Sequence, residues 1–374
     1  MVAQEAALLG RPHATLRWQW DGQGNLQEAA REARLRLIDR WRCGIEHVLF
    51  AHTQNDLVET FLMRLKRGSG VEGLAAMSAS RAVVAHGQGK PGLAPEEVVQ
   101  TETPPIPQRR VAGVPAYSRD FQALRPLLGT SRAELRHRNH VLKVPFVDDP
   151  SNEDRRFERI AVRKEIAALG LDMDRLAETA RAMASAREAL ERRASEQAEA
   201  LSTTEFGDIL LARSGFEELE RDTQERLLAG ALCYVSGISL RPRRASLRAL
   251  MDRVLGGGQD TLHGCVARME RDQLRICREY NALHMREVAI GTLWDGRWDS
   301  RGRDPSLRVR ALGKEGAAQL PNRPENLPFV SLIAQPAVFE AERLVACPAA
   351  DFGPSGMIYP HLGHPSFALS LLSH

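Results

Sequence analysis

The chain has 374 residues, a length that predicts two or three domains. Hydrophobic residues make up 43% of the sequence and charged residues 26%, as in ordinary globular proteins. The formal net charge of +3 argues against a protein that binds nucleic acid through its overall charge. Only five of the 51 basic residues are lysines. Arginine suits phosphate binding, but a GC-rich genome predicts the same bias.

The five cysteines exclude two common classes of small structural site. No pair has C-x-x-C spacing and their number is odd, so neither a zinc site nor a disulfide framework is predicted. The sequence also has no apolar run of membrane length and no signal-peptide pattern. We therefore expect a cytoplasmic protein that has no metal site of its own and no membrane partner.

The N-terminal part alternates between strand and helix patterns. Strands are predicted over residues 12–19 and 47–52, and helices over 25–43 and 54–67. We expect the first helix to be capped by Asn25 and the second to end at the Gly68-Ser69-Gly70 run. The order strand, helix, strand predicts a parallel α/β sheet.

The middle and C-terminal parts have a different organisation. Residues 82–118 are rich in proline and glycine and predict a surface loop or insertion. Further helices are predicted from Thr130 or Ser131 through Arg138 and over 174–200. From about residue 205, short strand patterns surround helices at 219–236 and 244–255, which predicts a separate α+β unit.

Three polar residues cluster where the strand at 47–52 meets the helix at 54–67. His52 precedes the helix, and Asp56 and Glu59 share one helical face. Ligands of open α/β sheets bind in this crevice, where a carboxylate could take a proton from an amine or hold a metal. The structural alternative is a helix cap, because Thr53 and Asp56 have capping-box spacing and acidic residues favour a helix start.

These residues belong to a longer pattern. AHTQNDLVETFLMRLKRGSGVEGL (51–74) resembles the second signature of the tRNA(Ile)-lysidine synthetases, A-H-H-x-D-D-Q-x-E-T-x-L-x-R-L-x-R-G-S-G-x-x-G-L. Three further blocks resemble that family in the same order: NLQEAAREARLRL (25–37), LRPLLGTSRAEL (124–135) and VDDPSNEDRRFERIAVR (147–163). The resemblance covers most of residues 10–280 and is weaker beyond.

The resemblance implies a fold and a reaction. It implies a partial Rossmann-like (PP-loop/HUP-type) parallel sheet domain at 1–165, a helical linker at 166–204 and a smaller α+β C-terminal region at 205–374 that binds substrate or tRNA. These enzymes use ATP, with Mg²⁺, to adenylate C2 of the wobble cytidine of tRNA(Ile) with a CAU anticodon. Free L-lysine then displaces AMP. The resemblance leaves a homodimer open.

The matching positions imply roles for particular residues. Asp56 would take a proton from lysine, Glu59 would help to hold lysine, and His52 would lie near the activated nucleotide. Ala51, His52, Arg31 and Arg34 would line the nucleotide site. Arg125, Arg159 and Arg163 would face tRNA or phosphate. A solvated helix face is the alternative for the last two arginines, and a simple turn is the alternative for the Asp149-Pro150-Ser151-Asn152 run.

The sequence also departs from the family pattern. Thr53, Asn55 and Leu57 stand where the family has His, Asp and Gln. The family's pyrophosphate loop, S-G-G-x-D-S, would lie upstream of the blocks that match. We therefore expect either an active synthetase whose N-terminus is incomplete, or a catalytically dead truncated relic or tRNA-binding module. Another ATP pyrophosphatase such as a tRNA thiolase is disfavoured, because those enzymes commonly use paired cysteines.

One glycine run could be mistaken for the pyrophosphate loop. Residues 256–261, GGGQDT, follow a predicted helix and precede an alternating strand pattern. A phosphate-binding loop needs the opposite order, with a strand before it and a helix after it. We interpret the run as a helix-terminating turn.

Overall fold

A computed structural model describes residues 2–20, 22, 26–42, 45–83, 98–99, 121–147, 158–238, 240–302, 304–361 and 365–372. The chain divides into two compact units, residues 1–185 and 186–373. The boundary lies inside one long helix, Met173–Leu201, which fills most of the predicted linker. The predicted three-part division with limits at 165 and 204 stays a prediction.

Helices and short strands alternate through the first unit and its boundary helix. They are α1 (Val2–Leu8), β1 (Thr15–Leu16), α2 (Leu26–Trp41), β2 (His47–Leu49), α3 (Gln54–Lys66), α4 (Val71–Leu74), β3 (Ser80–Val83), β4 (Val98–Val99), β5 (Phe121–Leu124), α5 (Arg132–Val141), α6 (Glu158–Ala168) and α7 (Met173–Leu201).

The central sheet of this unit has the strand order β2-β5-β3. Strands β2 and β5 are parallel, whereas β3 pairs antiparallel with β5. The predicted α/β class is confirmed. The prediction that the first strand joins this sheet is wrong, because β1 pairs with β4 in a separate two-stranded ribbon. A strand of two residues is too short for its own pattern to specify a partner.

One face of the central sheet packs against α2. Val83, Phe121 and Ala123 are buried on this face, against Leu35 and Ile38 of the helix. Alternate residues of a strand point to the same face, so β5 contributes every second side chain to this core. Leu35 and Ile38 therefore form the contact of this helix with the sheet. Asn25, its predicted cap, lies outside the described residues.

Helix α3 is held by a second core. Leu57, Val58 and Phe61 pack with Val162 of α6 and Ala177 of α7. The helix ends at Lys66, and Gly68 then adopts a positive φ of 68°, as expected of a glycine that terminates a helix. This packing presents the start of α3 to the end of β2.

Helix α5 is capped by Ser131, one of the two residues predicted to begin it, and the cap is a capping box. The backbone N–H and the hydroxyl of Ser131 donate to Glu134 Oε2 at 2.7 and 2.9 Å. The helix runs to Val141, three residues beyond the predicted end at Arg138. Of the predicted loop at 82–118, the structure describes only 82–83 and 98–99, and the second pair forms β4.

The second unit confirms the expected α+β organisation. After α7 its elements are β6 (Ser202–Glu205), β7 (Asp208–Ala212), α8 (Arg213–Glu217), α9 (Arg221–Ser236), α10 (Arg244–Leu255), β8 (Gln259–Leu262), β9 (Cys265–Glu270), β10 (Gln273–Arg278), β11 (Val288–Ala289), β12 (Trp298–Ser300), β13 (Leu307–Ala311), α11 (Gly313–Ala317), α12 (Phe329–Leu332), β14 (Pro336–Glu340), β15 (Arg343–Ala346), β16 (Ile358–Pro360) and α13 (Phe367–Ser370).

Antiparallel sheets organise this unit. One has the order β6-β7-β10-β9-β8, another β11-β13-β14-β15, and β12 pairs with β16. Helices α9 and α10 cover the five-stranded sheet through a large apolar core. The glycine run at 256–258 follows the end of α10 and leads into β8, and Gly257 has a φ of +85°. Its interpretation as a helix-terminating turn is confirmed.

Within the described ranges, no helix is both long and apolar enough to cross a membrane. The cysteines described, Cys233, Cys265, Cys277 and Cys347, are buried free thiols. Burial raises the pKa of Cys265 to about 12, so this thiol stays protonated and unreactive at neutral pH.

Candidate active site at the start of helix α3

Asp56 occupies the third position of α3, and two arginines lie beside it. The backbone N–H and the hydroxyl of Thr53 donate to Asp56 Oδ2 at 2.9 and 2.7 Å. Arg132 and Arg159 place guanidinium nitrogens 3.2 and 3.7 Å from Oδ1. The helix-capping role is therefore present in the structure, and one carboxylate oxygen still faces exposed cations.

These contacts set the charge of Asp56. Burial alone would raise its pKa, but the hydrogen bonds from Thr53, followed by the charges of Arg132 and Arg159, lower the pKa below that of a free aspartate. Asp56 is therefore an anion at neutral pH. It attracts a cation strongly, but it is a weaker base than an unperturbed carboxylate.

Glu59 lies one turn further along α3, and only 1% of its surface is exposed. Arg163 Nε donates to Glu59 Oε1 at 2.5 Å, and Arg132 Nη1 lies 3.9 Å from the same oxygen. Arg159 and Arg163 are both on α6, so α6 presents them to the carboxylates of α3. The alternative of a purely solvated helix face is therefore wrong for these two arginines.

His52 lies on the other side of the α3 start, after β2. Its ring stacks on Phe50 with the ring centroids 5.9 Å apart, and its buried Nδ1 has no hydrogen-bond partner within the described part of the chain. Burial, and then the charge of Arg125, lowers the pKa of His52. The imidazole is therefore neutral at pH 7, and a neutral ring suits contact with an uncharged base or sugar.

Some of the residues assigned to the nucleotide lie near this histidine. Ala51 is exposed between β2 and α3, and Arg31 and Arg34 are exposed on α2. The charge of Arg34 contributes to the lowered pKa of His52. Arg125 Nη1 donates to the carbonyl of Ser78 at 2.8 Å, so this predicted tRNA contact also ties two segments of the fold together.

The three departures from the family pattern each have a use in the fold. Thr53 donates to Asp56 as described. Asn55 Oδ1 accepts a hydrogen bond from the backbone N–H of Arg132 at 2.9 Å, which docks the start of α5 on α3. Leu57 is buried in the core between α3 and α6. Each of these three residues thus makes a contact within the protein.

Sequence reasoning missed Arg132, although it lies in the matching block 124–135. Periodicity could not identify it, because its partners are more than 70 residues away along the chain. The Asp149–Asn152 run lies outside the described residues. Among the residues described, no group of three or more His, Cys, Asp or Glu side chains could hold a metal ion.

Comparison with known proteins shows which family the chain resembles. A PP-loop domain family matches residues 1–95 and 98–169. A tRNA(Ile)-lysidine synthase of Ruegeria pomeroyi is 37% identical over 384 residues, a match that covers 100% of this chain and 83% of the relative. The chain belongs to the tRNA(Ile)-lysidine synthase family.

Other family members match over less of their length. A tRNA(Ile)-lysidine synthase of a Bradyrhizobium species is 32% identical over 74% of this chain and 75% of the relative. That of Anaplasma marginale is 28% identical over 80% of this chain and 59% of the relative. Membership of the family therefore rests on more than the α3 motif, because these matches extend well beyond residues 51–74.

Proposed function

We propose that this protein is an ATP-dependent ligase that joins lysine to the wobble cytidine of tRNA(Ile). Family membership supports the reaction class. The single structural observation that carries the proposal is the position of Asp56 at the start of α3, close to His52 and at the carboxyl end of a parallel strand. The reaction would adenylate C2 of the cytidine with ATP and release pyrophosphate, and the amine of lysine would then displace AMP and lose a proton.

Asp56 is proposed to position the attacking amine and receive its proton. Its Oδ1 pairs with Arg132 and Arg159, whose side chains are 38% and 45% exposed. The arginine side of each pair is reached by solvent while Asp56 is largely buried, so an incoming ammonium group can compete with the two arginines for Oδ1. The lowered pKa keeps Asp56 charged while the substrate binds.

Glu59 and His52 are proposed to serve the two substrates differently. Glu59 is buried beneath Arg163, so we expect it to hold lysine only after that arginine moves. Neutral His52 is proposed to contact the nucleotide, together with Ala51 and the exposed Arg31 and Arg34.

The described residues do not by themselves fit a magnesium ion. They contain no metal-binding group, and the Asp56 carboxylate is already neutralised by arginines. No step is therefore derived through Mg²⁺. The proposed tRNA contacts are Arg125, Arg159 and Arg163. A cytoplasmic location follows from the proposed tRNA substrate. Whether the protein forms a homodimer is a matter for measurement of its mass in solution.

The test is incorporation of labelled lysine into tRNA(Ile) by the native protein with ATP. Asp56→Asn removes the charge but keeps an oxygen that Thr53 can bond, and we expect it to reduce incorporation at least 100-fold. Asp252→Asn is the matched control, because its side chain is exposed in the second unit. Equal rates for these two variants would overturn the assignment of Asp56.

A second candidate is a tRNA-binding protein without catalysis. The observation that favours it is that arginines pair with both carboxylates of α3. This candidate predicts that tRNA(Ile) binds and that binding weakens with salt, while saturating ATP and lysine give no incorporation. Any ATP-dependent incorporation by the native protein eliminates it.

A further inference from the structure

The sheet face that packs on α2 is apolar in its middle and carries arginines toward one end. Along β5, Phe121 and Ala123 are buried on this face, and Arg125 follows two residues later. On β3, Arg81 lies directly opposite Ala123, and Val83 lies opposite Phe121. Side chains of opposed residues share a face, so Arg81 and Arg125 extend the apolar face as diagonal neighbours.

A third arginine approaches them from α2. The pKa of Arg125 is lowered by burial and then by the charges of Arg81 and Arg31. The pKa of Arg81 is lowered by burial and then by Arg31. The three guanidinium groups therefore repel one another, which solvent reduces at the exposed Arg31 and Arg81 and which an anion between them would remove.

The described part of the chain supplies no carboxylate to this cluster. Arg31 and Arg81 form no ion pair there, and Arg125 bonds a carbonyl while its buried Nε lacks a partner. The nearby carboxylates, Asp56 and Glu59, pair instead with arginines of α5 and α6. Among the residues that the structure describes, the cluster thus has unused donors and uncompensated positive charge.

We propose that Arg31, Arg81 and Arg125 form a subsite for a phosphate group, with Arg81 as a ligand that no sequence block assigned. Three planar guanidinium groups, each with several N–H donors, match a multiply charged tetrahedral anion better than they match a single carboxylate. Neutral His52 and Phe50 adjoin the cluster through Arg125, whose guanidinium lies 5.9 Å from the Phe50 ring centroid. An uncharged part of the same substrate would lie there.

The subsite rests on the proposed function for its choice between two sources of phosphate, the nucleotide or the tRNA backbone. The probes are inorganic pyrophosphate, titrated calorimetrically, and tRNA(Ile), titrated over a series of salt concentrations. The variants are Arg81→Gln, Arg81→Lys and the control Arg192→Gln, an exposed arginine of α7. Lysine incorporation is measured in parallel.

If the phosphate belongs to the nucleotide, Arg81→Gln weakens pyrophosphate binding about tenfold and leaves tRNA binding unchanged. If it belongs to RNA, the same variant lowers the slope of log affinity against log salt by about one. Arg81→Lys should reduce pyrophosphate affinity or the salt dependence of tRNA binding less than Arg81→Gln does, because lysine keeps the positive charge but not the planar guanidinium group. The ligand-free melting temperature should stay the same or rise, since a repulsion is removed.

Three results would overturn the subsite. The first is equal binding by Arg81→Gln and Arg192→Gln in both titrations. The second is a lower melting temperature of Arg81→Gln with unchanged binding, which identifies a structural role. The third is failure of the unmodified protein to bind either probe. Arg81-dependent binding without lysine incorporation would instead refute the proposed function alone.

Discussion

Removal of Arg163 tests how the second carboxylate of α3 is accommodated. Arg163→Gln leaves Glu59, which is 1% exposed, with Arg132 as its remaining cation at 3.9 Å. Breaking a fully buried ion pair costs about 3–5 kcal/mol. Because Arg163 is itself 29% exposed and Arg132 remains, we expect roughly half of that, about 2 kcal/mol.

Differential scanning calorimetry measures this loss directly. For a unit of 150–250 residues, each kcal/mol shifts the melting temperature by about 2–4 °C, so the transition of residues 1–185 should fall by about 4–8 °C. Glu59→Gln combined with Arg163→Gln should recover at least about 1 kcal/mol of the summed single losses. The control Arg175→Gln removes only a highly exposed pair and should change stability by less than about 0.5 kcal/mol. Additive single effects would refute this account of Glu59.

Three other predictions follow from local geometry. Thr53→Ala should destabilise the first unit by about 1 kcal/mol in urea unfolding, whereas Thr53→Ser should not, because serine keeps the hydroxyl donor. The lowered pKa of His52 favours its neutral form in the folded protein, so its contribution to stability is present above the unfolded-state pKa and is lost as pH falls. In an NMR titration of the folded protein, Arg125→Gln should raise the pKa of His52. Gly353→Ala should cost several kcal/mol more than Gly356→Ala: both glycines have positive φ, but only a Cβ at Gly353 would lie 2.0 Å from a carbonyl oxygen. Equal melting temperatures for the two alanine variants would contradict that steric reasoning.

Local patterns predicted the elements that carry their own signals. Helix α3 could be located because its apolar residues recur at helical spacing and Gly68 ends it. The turn at 256–258 was identified from its flanking patterns. Both features depend on neighbours within a few residues, which is the range over which propensity and capping act.

Pairings between segments that are far apart in the sequence could not be predicted from these local patterns. The partner of β1 is about 80 residues away along the chain, and neither two-residue strand has a period of its own. The pairing of Arg163 with Glu59 across 104 residues likewise depends on how α6 packs on α3. Arg81 was missed for the same reason, because its neighbours come from α2 and from the end of β5.

The capping role of Asp56, together with its proposed role in catalysis, bears on how this site would change during evolution. Its carboxylate receives both donors of Thr53 at the start of α3, so a descendant that lost catalysis would still be selected to keep it for folding. His52 has no comparable role in helix capping, because its buried Nδ1 has no hydrogen-bond partner in the described structure. We therefore expect loss of the histidine, rather than of the aspartate, to be the earlier mark of a lineage that has abandoned the reaction.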